Sequence, residues 1–363
     1  MNRFAFLTHP LGMKDVVRYE PKARGRREPV VLKILEWMPP YEVSTIRGVR
    51  SHLGEIIGNF VMVPLMPVQF INLDRQQVVE RVKKAALLGQ SLGAKLIGLG
   101  GYNSVVGRAG KDVAQVLDVA VTSGNSYTIA TALEGALAAA DALDVDLQRS
   151  TVAVVGATGS IGSVCARFLA QKVSRLVLSA RSKSRLKNLA ETIQRESRTH
   201  LKVEMDLGRA LSEADVVITA TSSGGSIIQA EHLKPGAIVC DVAVPHDVCR
   251  EVQKLRPDVL VIEGGVVEVP GQVDFGLDFG YPPGLALACM AETMVLTLEG
   301  RFENFSLGRG LEYDKVQEIA RLAARNGFRL AGFRAFDEPV GADRIEQVRH
   351  FVKESRQRLR VIS

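Results

Sequence analysis

The chain has 363 residues, 46% of them apolar (AVILMFWYC) and 24% charged, which excludes a disordered or collagen-like polymer and fits two or three compact domains. The net charge of +6 gathers at the ends: residues 1–50 hold 10 basic and 5 acidic side chains, and residues 301–363 hold 13 and 9. A body that is not basic argues against nucleic-acid binding, whereas basic ends suit an acidic partner.

In chain order, residues 1–120 read as an α/β unit. Strands are expected at 4–8, 31–37 and 57–63, and helices near 76–92 and 112–120. The longest apolar run, 56–71, is interrupted by Gly58, Asn59, Pro64, Pro67 and Gln69, so no membrane-spanning helix is expected. That run is a candidate lining for an apolar slot, or an ordinary buried strand. Residues 122–142 open with cap-type side chains and continue as an Ala-rich helix. Asn125 and Ser126, at its start, are candidate substrate contacts, although plain capping explains them equally well.

The most informative segment is 151–162, TVAVVGATGSIG. A β-branched run feeds a glycine turn and then a helix, as a dinucleotide-binding βαβ unit requires. The spacing is GxxGxxG. Its glycines allow a tight turn and close backbone approach, and the helix N-terminus offers N–H groups to a pyrophosphate. The cofactor-binding candidates here are Gly156, Ala157, Thr158, Gly159, Ser160, Ile161 and Gly162. Further strands are expected at 175–180, 214–220, 237–242 and 259–263, alternating with helices or turns. This describes a doubly wound parallel sheet. The second strand ends in Ser179, Arg181 and Ser182 with no acidic residue. Arg181 and the hydroxyls can bind a 2′-phosphate that a carboxylate would repel, so NADPH is expected over NADH.

Beyond the sheet, 284–299 and 311–326 read as helices, and 338–360 as a charged final helix. Four cysteines (Cys165, Cys240, Cys249, Cys289) show neither CxxC spacing nor a nearby His cluster, so no metal is expected. Cys289, between alanines on an apolar helix, reads from its residues alone as a small core residue more readily than as a nucleophile. His246, after a strand end, is a candidate acid or base, or a surface turn histidine.

Several segments together resemble a known family. They are 97–104 (IGLGGYNS), Ser123-Gly124-Asn125, VAVVGATGSIGS, 263–268 (EGGVVE) and the block ALACMAETMVLTLEG…NFSLGRG. Over residues 30–330 the chain resembles the long-chain fatty acyl-[acyl-carrier-protein] reductases, the aldehyde-forming enzymes of cyanobacterial type. The resemblance implies that Cys289 is the acylated catalytic nucleophile. It also implies NADPH as reductant, acyl carrier protein as acyl donor and a fatty aldehyde as product, with acyl-CoA a possible donor. The basic segment 22–27 and Arg356, Arg358 and Arg360 are then candidate carrier-docking surfaces.

The expected architecture is α/β: an N-terminal substrate domain over 1–143, a Rossmann-type NADP domain over 144–273, and a helical segment over 274–363 carrying Cys289. No leader or membrane segment is apparent, and a cytoplasmic location with reduced thiols is expected. Two other readings stay open. One is an NADP-dependent dehydrogenase of shikimate or amino-acid type acting directly on a ketone or imine. The other is a non-catalytic protein that binds NADP or the carrier.

Overall fold

The computed structural model describes residues 1–362, with side chains through Glu354. Arg356, Arg358 and Arg360 lie outside the described side chains. The chain divides into two units, one of residues 1–127 with 267–329 and one of 128–266 with 330 onward. The α/β class read from the sequence holds in both.

In the first unit, β1 (Arg3–Thr8), β2 (Tyr41–Ser51), β3 (Gly54–Met62), β4 (Leu96–Leu99) and β5 (Ala120–Thr122) form one sheet with Gly271–Asp274. The order is 271–274, β2, β3, β1, β4, β5. β1 runs parallel to β3 and β4, and β4 runs parallel to β5. β2 is antiparallel to β3. The helix Arg75–Ser91 covers one face, burying Val78, Val82, Ala85 and Ala86 at helical spacing. Asp74 caps it by accepting from the N–H groups of Gln76 and Gln77 at 3.0 and 3.1 Å. The run 56–71 packs as core through residue 67, with Phe60, Val61, Met62 and Met66 at most 2% exposed, whereas Val68 and Ile71 face solvent.

Three sequence expectations change here. Residues 31–37 are not a strand but belong to the helix Glu28–Trp37. Pro29 suits a first helical turn, and Val31 and Leu35 are buried four residues apart while Val30, Ile34 and Trp37 face solvent. Residues 112–120 split into a short helix, Lys111–Ala114, and the start of β5. The segment from 274 is not a separate C-terminal region. Gly271–Asp274 extends the first sheet along β2, and the helix Ala288–Leu298, buried almost throughout, packs on β1, β3 and β4.

The second unit holds a six-stranded parallel sheet of β6 (Thr151–Val155), β7 (Arg175–Ser179), β8 (His200–Val203), β9 (Val216–Thr219), β10 (Ile238–Asp241) and β11 (Leu260–Glu263). Its order is β11, β10, β9, β6, β7, β8. This is the doubly wound order, with the switch point between β6 and β9. The final helix, Ala342–Ile362, belongs to this unit and seats one face on it. Arg344 donates to the carbonyls of Arg256 and Val259 at 2.8 and 3.0 Å, and Arg349 to that of Ala142 at 2.6 Å. Among the described residues no helix is long and apolar enough to cross a membrane.

The fit of the Ala288–Leu298 helix against β4 depends on a missing side chain. A Cβ on Gly98 would fall 2.2 Å from Thr293 Oγ1 and 2.6 Å from the Phe6 ring. Gly98→Ala is therefore expected to destabilise the protein by about 1–3 kcal/mol in urea unfolding. Thr293→Ala in the same chain should recover part of that loss, and strictly additive effects would show the contact to be unimportant.

Candidate active site

The second unit ends β6 in a tight phosphate-type turn. Gly156 has φ +76°, and a Cβ there would lie 2.4 Å from the Ala220 carbonyl oxygen. A Cβ on Gly162 would lie 2.3 Å from the Gly156 carbonyl oxygen, so that glycine lets the helix start against the turn. The N–H groups of Gly156 and Ala157 donate to the Ser179 carbonyl at 2.9 and 3.1 Å, tying the turn to the end of β7. Gly159 stands at the N-cap of the helix Ser160–Ala170, which no side chain caps. Thr158, Ser160 and Ile161 are half-buried around this point, while Ala157 is buried. Glycine cradle, uncapped helix start and switch point together fit a dinucleotide pyrophosphate.

Beside it, the three residues at the end of β7 differ in their duties. Ser179 is buried, and Ser182 caps the helix Lys183–Glu196 by accepting from the Arg185 N–H at 3.5 Å. Arg181 is exposed and, among the described residues, has no acidic partner. Of the three, Arg181 has the charge to meet a 2′-phosphate.

The first unit builds its site around the start of the Ala288–Leu298 helix. Cys289 occupies the first turn, half-buried. Gly124 lies directly against it: a Cβ on Gly124 would sit 2.3 Å from the Cys289 Cα. With φ +75°, Gly124 also takes a turn that other residues resist. The turn is pinned by Glu292, a fully buried carboxylate three residues along the same helix. Its Oε1 accepts from the Thr122 hydroxyl, and its Oε2 accepts from the Tyr127 N–H at 2.8 Å.

A second clamp comes from residues 304–306, which run along β5. Asn304 Oδ1 accepts from the Val121 N–H at 2.8 Å, and the Phe305 N–H donates to the Val121 carbonyl at 3.0 Å. Ser306 then donates to Ser126 Oγ at 2.7 Å and accepts from the Ser126 N–H at 3.2 Å. Ser126 is wholly buried and Asn125 nearly so.

The electrostatics of the thiol are mixed. Burial, the largest cause, pushes the Cys289 thiol up to about 12, and the nearby Glu292 carboxylate adds to the rise. Backbone hydrogen bonding from Met290, Cys289 and Gly101 opposes that rise. Donors so placed can stabilise a thiolate or an oxyanion formed beside it. Burial likewise raises Glu292, against the hydrogen bonds it accepts.

The Gly101 turn is itself held by His9. The His9 Nε2 accepts from the Tyr102 N–H at 3.0 Å, so its proton resides on Nδ1, 3.1 Å from the Pro10 carbonyl. Burial holds this imidazole down at about 4, neutral at ordinary pH.

Comparison with known proteins gives the family. A long-chain acyl-[acyl-carrier-protein] reductase of Synechococcus elongatus is 32% identical over 307 residues, covering 80% of this chain and 87% of that protein. The chain belongs to this reductase family. Residues 137–262 match the shikimate / quinate 5-dehydrogenase family, so that likeness falls wholly in the second unit. Together with the dinucleotide cradle, these matches make the family member an NAD(P)-dependent oxidoreductase. The aminotransferase PigE of Serratia sp. is 35% identical over 263 residues, and the chain spans only 31% of its length. Among solved structures, the L-tryptophan dehydrogenase of Nostoc punctiforme aligns over 97% of this chain and 88% of that one, at 12% identity and TM-score 0.43. That likeness carries no argument about chemistry.

Sequence reading missed Glu292, His9, Gly101 and Ser306. Glu292 had a visible signal, since a lone charge in the apolar stretch ALACMAETMVL has to be satisfied inside. His9 had none.

A thiol held this high reacts slowly with alkylating agents at neutral pH. Iodoacetamide labelling of Cys289, read by peptide mass to separate it from half-exposed Cys249, should rise with pH and show no plateau below pH 9. Glu292→Gln removes the adjacent negative charge and should speed labelling several-fold at fixed pH. A labelling midpoint below 8 would contradict the electrostatic account.

Proposed function

We propose that this protein reduces a long-chain fatty acyl thioester, carried on acyl carrier protein or CoA, to the fatty aldehyde with NADPH. The observation that carries the reading is Cys289 in the first turn of the Ala288–Leu298 helix, with the Gly124 turn directly against it. Membership of the acyl-[acyl-carrier-protein] reductase family supports it. The glutamyl-tRNA reductases, one of them 26% identical over 289 residues, are by name also reductases of a carrier-bound acyl group.

In this reading Cys289 loses its proton as the acyl group arrives, and its sulfur attacks the thioester carbonyl carbon. The bond to the carrier sulfur breaks, and the carrier thiol leaves with a proton, so the acyl-enzyme is again a thioester. The Gly101, Cys289 and Met290 N–H groups hold the oxyanion of the tetrahedral species. The nicotinamide, when bound, supplies the hydride that takes the acyl group to the aldehyde level. The resulting hemithioacetal collapses, its C–S bond breaks, and the aldehyde leaves the regenerated Cys289.

Within the second unit, Gly156, Ala157, Gly159, Ser160 and Gly162 would hold the pyrophosphate, and Arg181 the 2′-phosphate. Asn125 and Ser126 support the site chiefly by fixing the turn over Cys289. The acidic carrier would meet the 22–27 segment. Its Lys22, Arg24, Arg26 and Arg27 are exposed and, among the described residues, lack acidic partners.

Incubation with palmitoyl-carrier protein without NADPH should add one acyl mass to Cys289, and Cys289→Ala should take up none. Full turnover by Cys289→Ala would overturn the covalent route and favour a direct dehydrogenase. Arg181→Glu should raise KM for NADPH about 10- to 100-fold and leave that for NADH much less changed.

A further inference from the structure

The carboxyl edge of the second sheet gathers a cluster that the reductase reading leaves unused. β10 ends at Asp241 and β11 at Glu263, side by side in register. The loop after β10 brings His246. A hairpin pairing Arg334 and Ala335 with Pro339 and Glu338 brings Asp337. One ligand atom from each of His246, Glu263 and Asp337 lies within 4.8 Å of the other two. The sequence expectation of no metal rested on cysteine spacing, and these ligands come from three distant segments.

A buried oxygen points to an occupant. Glu263 is 7% exposed; its Oε1 accepts from the Asp337 N–H at 2.7 Å, but its Oε2 is buried with no hydrogen-bond partner. Leaving a carboxylate oxygen so placed costs free energy that a ligand would recover. The His246 ring does not supply the partner. Its Nε2 stands 3.8 Å from Glu263 Oε1, beyond hydrogen-bond reach. Two ligand atoms each about 2.1 Å from one ion stand about 3.0–3.4 Å apart, so a small inward movement of the pair would bracket a cation.

The surroundings suit that cation in orientation and in charge. Asp241 Oδ2 lies 3.5 Å from His246 Nδ1, the carboxylate–histidine arrangement that turns Nε2 towards a metal. Asp241 is itself fixed by the N–H groups of Ala243 and Val248, both at 3.0 Å. Arg334 is held in the hairpin by donating to the Asp337 carbonyl, and Glu263 and Asp337 bring two carboxylates to the His246 ring. Two carboxylates with a neutral imidazole are a donor set that suits a divalent ion. Phe336 packs edge-on against the His246 ring at 5.5 Å and shields one side.

We propose that His246, Glu263 and Asp337 form a site for a divalent transition cation, with Asp241 orienting His246. One imidazole and two carboxylates suit Mn2+ or Zn2+, with water completing the shell. The ion ties the 334–339 hairpin to the ends of β10 and β11. The site does not depend on what the protein reduces.

The test is equilibrium dialysis of the full chain against Mn2+, which spares thiols, read by the free-ion EPR signal. The expected result is one saturable Mn2+ per chain and a higher thermal midpoint with the ion. Affinity should fall at least about 10-fold in Glu263→Gln, His246→Gln and Asp337→Asn, with folding checked by circular dichroism. Asp337 is itself exposed, so its variant decides the matter if a buried variant fails to fold. Absence of saturable binding at millimolar Mn2+ would overturn the site and leave a water-bridged Glu263–Arg334 pair. Equal binding by all three variants would overturn it too.

Discussion

The first unit is organised by one demand: a carboxylate with no exposure, on a helix otherwise uncharged, has to find donors. Glu292 finds them in the Thr122 hydroxyl and the Tyr127 N–H, on either side of the turn that contains Gly124. Satisfying the carboxylate therefore brings the end of β5 and the start of the next helix over Cys289. The absent side chain of Gly124 permits the contact. Removing one donor would strand a buried acceptor at a cost of about 1–3 kcal/mol or more.

The same burial sets the chemistry. It holds Cys289 as a neutral thiol, and the carboxylate that shapes the turn works against ionisation. The N–H groups at the helix start and at Gly101 work for it. A thiol held neutral in this way is slow to oxidise and to alkylate. His9 contributes without charge, as a neutral acceptor that fixes the Gly101–Tyr102 turn.

Much of the second unit was legible in the sequence because each of its signals is local. The β-branched run 151–155, the glycines after it and the recurring strands at 175, 216, 238 and 260 follow one another at short range. The helix from Asn125 was legible for the same reason. The first unit was harder. Residues 31–37 have the apolar content of a strand, and only the burial of Val31 and Leu35 against exposed Ile34 separates helix from strand. β2 carries Glu42, Ser44, Thr45, Arg47 and Arg50 among few apolar residues, so it gave no strand signal. Cys289 was found by resemblance, and its isolated residue type would have placed it in the core. His9 with Tyr102, and His246 with Glu263 and Asp337, are juxtapositions made by topology. No spacing along the chain announces them.

A single turnover decides whether the acyl group on Cys289 lies on the reaction path. Enzyme acylated at Cys289, freed of carrier, is mixed with NADPH and the aldehyde is followed by rapid quench. One aldehyde per acyl-enzyme, released at least as fast as steady-state turnover, is the predicted result. Release slower than turnover, or only after carrier thiol is added back, would contradict it.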